Sequence, residues 1–71
     1  MDNYIALGIK RVMAEKGMYQ KYVAEKAGFS EQQLSDMLNG RKIIRAEYIP
    51  QISKALEVNV AELFAMGKEA V

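Results

Sequence analysis

The sequence predicts an all-α fold, one compact domain of five short helices over residues 1–71. Three observations carry this expectation. Apolar residues recur at intervals of three and four along most of the chain. No stretch alternates apolar and polar residues with the period of two that a half-buried strand requires. Glycine or Asn-Gly punctuates the pattern at Gly17, Gly28, Asn39-Gly40 and Gly67, where helices are expected to stop.

The elements follow in order. Ile5, Ile9, Val12 and Met13 share one face of a first helix, capped by Asp2 or Asn3 and ended by Gly17. A second helix starts near Gln20, turns Val23, Ala24 and Ala27 inward and stops at Gly28. Phe29 is an apolar residue in the tight connection that follows. Ser30-Glu31-Gln32-Gln33 has capping-box spacing, with serine and glutamine three apart and able to satisfy each other's backbone amides. The third helix buries Leu34, Met37 and Leu38 and ends at Asn39-Gly40. Residues 41–45 form a basic and apolar linker. A fourth helix runs from about Glu47 to Leu56, burying Ile49, Ile52 and Leu56. It admits Pro50 only in its first turn, where a missing N–H costs little. Asn59 to Glu62 opens a fifth helix with Leu63 and Phe64 inward and Gly67 at its end. Lys68–Val71 is left as a frayed tail.

Composition removes several function classes. With no cysteine there is no disulfide framework, and with no histidine the commonest metal ligand and general base are missing. Ser30, Ser35 and Ser53 have no evident base partner, and no glycine-rich phosphate loop is present. The expectation is therefore a non-enzyme without cofactor, metal or small-molecule substrate. No signal peptide or membrane-spanning stretch is visible, so a cytoplasmic protein without membrane association is expected. Net charge is only +1, yet it is unevenly spread. Residues 10–45 carry eight cations against four carboxylates, while residues 46–71 carry two against four. The first two thirds are thus the part suited to a polyanion.

Residues 20–39 hold the informative pattern. Two short helices meet across Gly28-Phe29-Ser30, with small Ala24 where they cross and Val23, Phe29, Leu34 and Met37 filling the wedge. This is the physical pattern of a helix-turn-helix. With Gly17-Met18-Tyr19-Gln20 before it, Asn39-Gly40-Arg41-Lys42 after it, and Ile49, Ile52, Ala55-Leu56, Val58 and Leu63-Phe64 beyond, the chain resembles the lambda-repressor-like helix-turn-helix family, the XRE or Cro/repressor type, over about residues 5–66.

The resemblance implies a bacterial or phage transcriptional regulator, in its simplest form a repressor, whose third helix lies in the major groove of double-stranded DNA. It implies base-reading positions at Glu31, Gln32 and Asp36, flanked by Gln33 and Ser35. It implies phosphate contacts from Gln20, Asn39, Arg41 and Lys42, and Arg45 completes a cluster of cations in the same linker. Gln33 has a competing use as a cap, and Gln20 is expected to approach Glu31 and donate to its carboxylate. Tyr19 departs from the family, which often has a serine cap there. Met13 and Leu38 stand where the family often has a buried ion pair, so the two are expected to pack together instead. A homodimer on DNA is expected, with an interface near Val58, Phe64 and Met66. The competing reading is a protein-interaction module on the same fold, motivated by the two carboxylates, Glu31 and Asp36, on the proposed DNA face.

Overall fold

The structure, a computed structural model, describes residues 3–69. Five helices fold into a body of 27 × 24 × 20 Å: α1 (Tyr4–Lys16), α2 (Gln20–Ala27), α3 (Glu31–Leu38), α4 (Ile49–Leu56) and α5 (Val60–Glu69). Each starts and stops for local reasons. The Asn3 carboxamide caps α1 by accepting from the Ala6 amide at 3.1 Å; Asp2 lies outside the described residues. Gly17, Gly28 and Gly40 all adopt positive φ, as expected of residues that end α1, α2 and α3. Asn59 opens α5 by accepting from the Glu62 amide at 2.7 Å.

The predicted inward faces meet in one core. Ile9, Val12, Val23, Leu34, Ile52, Leu56 and Leu63 are its largest fully buried side chains. Ala24 is fully buried between α2 and its neighbours. Met13, Met18, Phe29 and Ile49 pack half-buried against the same core, which contains Met37 and Leu38. The Phe29 ring meets Tyr48 edge-on, with centroids 5.1 Å apart, and so ties the turn after α2 to the approach to α4.

Three expectations need correction. The fourth helix does not begin at Glu47; Ala46–Tyr48 forms a 3-10 turn and the α-helix starts at Ile49. Pro50 explains the difference, because its ring would strike the Ala46 carbonyl in a continuous α-helix. Phe64 is not inward. It is 42 % exposed, whereas Leu63, one position earlier, is fully buried. Gly67 does not end α5, which continues to Glu69 and takes in Lys68; Ala70 and Val71 lie outside the described residues.

Gly67 has a different purpose. It faces α1, and a β-carbon there would collide with the Tyr4 carbonyl. Gly8 mirrors it: a β-carbon there would collide with the Leu63 carbonyl. The two helices therefore pack backbone against backbone, closer than any side chain permits. Elsewhere, Lys16 extends from the end of α1 to the end of α4, where its Nζ donates to the Leu56 carbonyl at 2.8 Å and the Glu57 carbonyl at 3.3 Å. A cation there complements the negative end of the α4 dipole. Glu57 itself takes φ +60°.

Two substitutions should move stability in unusual directions. Glycine to alanine inside a helix ordinarily stabilises by about 1 kcal/mol. Here Gly67→Ala should instead destabilise by about 2 kcal/mol or more, because the collision is with backbone that has no rotamer to change. Glu57→Gly should stabilise by about 1 kcal/mol, relieving left-handed backbone and removing a carboxylate from a helix C-terminus. Thermal melts followed by circular dichroism read both signs.

Candidate nucleic-acid interface

The site is built on α3, whose placement is over-determined. Leu34, Met37 and Leu38 are buried, which forces the intervening positions outward. At its start the capping box forms in full: the Ser30 amide donates to Gln33 Oε1 at 2.8 Å and the Gln33 amide donates to Ser30 Oγ at 3.1 Å. The Gln33 carboxamide oxygen is thereby occupied, and only its N–H2 remains open. Of its two expected uses, capping is the one the geometry displays.

Glu31 and Gln32 are exposed in the first turn. Glu31 sits where the helix dipole favours a carboxylate. Gln32 Nε2 donates to Asp36 Oδ1 at 2.9 Å, one turn along the same face. Arg41 Nη1 lies 3.8 Å from that same oxygen. Asp36 is also held through its backbone, because its carbonyl accepts from the Arg41 amide at 2.8 Å and the Lys42 amide at 3.2 Å. Its side chain is 18 % exposed against 72 % for Arg41. Ser35 Oγ, half-buried, accepts from Asn39 Nδ2 at 3.3 Å. The outer face of α3 is therefore a connected polar surface rather than a row of independent side chains.

Around it stand the remaining predicted residues. Arg41, Lys42 and Arg45 are exposed in the linker and share one open groove with Gln33, beside α3. Arg45 approaches Glu47 at 3.9 Å, an exposed pair that a phosphate can displace at little cost. Gln20 opens α2 and lines a shallow depression together with Glu31. The expected hydrogen bond between Gln20 and Glu31 is not among those formed by the described residues; the two carry only proximity. The cap of α2 is lost, not replaced: Tyr19 stands at its N-cap position and makes no side-chain cap bond. The first amides of α2 thus remain open to an anion.

The structure draws attention to two residues to which the sequence reading gave no part in binding. Tyr19 is 82 % exposed beside Gln20, and Ile43 is 84 % exposed among the linker cations. The available signal was that both are large and apolar at positions without a periodic partner to bury them. Among the described residues no three carboxylates gather in an arrangement that could hold a metal ion. None of the described helices is long and apolar enough to cross a membrane.

Comparison with known proteins places this geometry in context. Residues 8–69 match the family described as Cro/C1-type HTH DNA-binding domain. The crystal structure of the clp gene regulator ClgR from C. glutamicum superimposes with a TM-score of 0.86 at 24 % identity, over 96 % of this chain and 88 % of that one. At that identity the likeness speaks to fold. No curated protein matches the chain.

The use of Gln33 as a cap separates stability from readout. Gln33→Ala should cost about 1 kcal/mol of stability through the lost cap while leaving base preference unchanged. Chemical denaturation and binding to single-base operator variants measure the two effects side by side.

Proposed function

Because the chain belongs to the Cro/C1-type helix-turn-helix DNA-binding domains, we propose that it is a sequence-specific transcriptional regulator that reads duplex DNA with α3 and acts as a repressor by occupying its operator in the cytoplasm. The observation that carries this reading is α3 itself: an inner stripe buried in the core, an outer face that is polar throughout, and exposed Arg41, Lys42 and Arg45 at its exit.

Within this reading Gln32 is the principal base reader, with Glu31 beside it. A carboxamide offers a donor and an acceptor, which matches N7 and N6 of adenine in the major groove. Gln20, Asn39, Arg41, Lys42 and Arg45 hold the phosphate backbone, and the open amides of α2 add donors for a phosphate. The alternative of a protein-interaction module drew on the carboxylates of α3. Asp36 supports it poorly, since its Oδ1 is engaged by Gln32 at 2.9 Å and lies 3.8 Å from Arg41 within the protein's own surface. A gel shift on random duplex DNA at several salt concentrations separates the two readings: binding that weakens steeply with salt supports the regulator, and no shift at any salt sinks it.

One α3 spans only a few base pairs, so the operator is proposed to bind two copies on half-sites about 34 Å apart. Exposed Phe64, with half-buried Val58 and Met66 nearby in sequence, supplies the apolar surface for a small dimer contact. Sedimentation with a selected operator checks this. One protein per duplex at saturation would exclude the dimer and leave the DNA-binding reading standing.

Reading and holding residues should behave differently on mutation. Gln32→Ala should lose about 1–3 kcal/mol of discrimination at one base position. Arg41→Ala should weaken binding to all sequences alike and make the salt dependence shallower by about one unit of slope. Selection from a random DNA pool, followed by salt titration on the selected site, checks both.

A further inference from the structure

We propose that Asp36 is a positioning residue for base readout: it fixes the orientation of the Gln32 carboxamide, so that Gln32 presents one defined donor–acceptor edge to the major groove. The proposal rests on the reading of Gln32 as a base-contacting residue and goes beyond it by naming what makes that contact selective.

The chemistry of the pair sets the orientation. Gln32 and Asp36 are four residues apart on α3 and therefore neighbours on its outer face. An exposed glutamine is ordinarily free to turn its amide over, exchanging its oxygen for its N–H2 group. A carboxylate only accepts hydrogen bonds. It therefore draws the N–H2 end of Gln32 toward itself, as the 2.9 Å contact from Nε2 to Oδ1 records. The amide has two N–H groups. Asp36 needs only one of them, and use of the hydrogen trans to Oε1 leaves the other beside that oxygen. That remaining N–H and the oxygen form the edge that matches N7 and N6 of adenine. The reversed amide would present its groups in the opposite order and lose the match.

Asp36 is suited to act as the anchor and poorly placed to read a base itself. Its side chain is drawn in, with Arg41 Nη1 3.8 Å from the oxygen that Gln32 also uses. Its backbone carbonyl holds the amides of Arg41 and Lys42, so it sits at the joint between α3 and the basic turn. A reader fixed before binding has less freedom to lose on binding, which sharpens the difference between right and wrong bases.

The test uses the whole chain and an operator selected from a random pool. Gln32→Ala first locates the base position that Gln32 reads. Asp36→Asn keeps the shape of the side chain but offers both an oxygen and an N–H2, so either orientation of Gln32 is allowed. It should reduce preference at that one position by roughly tenfold and leave the other positions unchanged. It should also raise affinity for random duplex, because a carboxylate leaves a surface that faces phosphates. In the Gln32→Ala background the same change should leave preference where Gln32→Ala set it. In the free protein, the two side-chain N–H resonances of Gln32 should lie far apart and move together in Asp36→Asn. Tighter binding to every sequence by the same factor, with preference intact, overturns the positioning role alone. Loss of preference at a different position overturns it as well and assigns Asp36 to a base. Unchanged preference in Gln32→Ala overturns both this proposal and the reading on which it rests.

Discussion

The first and last helices of the described residues meet backbone to backbone. α1 and α5 touch at Gly8 and Gly67, each lacking the atom that would hold the other helix away. Contact at that distance lets Ile5, Ile9 and Leu63 reach a common core in a chain too short to build a second one. With this seam closed, α3 and α4 have a fixed floor to pack on, and α2 packs in turn on those two. The seam is intolerant because both partners are backbone. A side chain can change rotamer to admit a methyl group, whereas a carbonyl in mid-helix can move only with its helix.

On that floor the outer face of α3 is held at both ends. The capping box fixes its start, and the Asp36 carbonyl fixes the turn that leaves it. Between these points the polar side chains bond to one another along the helix, Gln32 to Asp36 and Asn39 to Ser35. Such links are individually weak on an exposed surface. Their effect is on geometry: they limit the number of arrangements that a partner meets. The cations at the exit are exposed, and the pairs that Arg41 and Arg45 make are long.

Helix faces and helix ends were legible in the sequence. The stops at Gly17, Gly28 and Gly40 and the Ser30–Gln33 box depend on a few adjacent residues, and all have the predicted form. The start of α4 failed for a local reason, Pro50; the other failures depend on which helices meet. Gly67 carries the same letter whether it ends a helix or admits a neighbour, and only the proximity of α1 decides between the two. Phe64 looked inward because it is apolar, but the α1 seam selects Leu63 and Gly67 as the buried line and leaves Phe64 to one side. Lys16 clasps carbonyls 40 residues away, beyond any local pattern. At the site, the Gln32–Asp36 bond was available from spacing alone, since residues four apart face each other on a helix. The expected Gln20–Glu31 bond is not among those formed by the described residues, although the two line one depression.

The Lys16 clasp spans far more of the chain than the helix-turn-helix does. The contacts between α2 and α3 close within residues 20–38, a short loop with a small entropic penalty. The Lys16 bonds join residues 40 apart and more, and the α1–α5 seam joins the two ends of the described chain. Contacts of that span close far larger loops than those between α2 and α3, at a higher entropic cost. The helix-turn-helix is thus the part of the molecule with the most local origin, while a lysine and two glycines that lie outside it tie together stretches far apart in the chain.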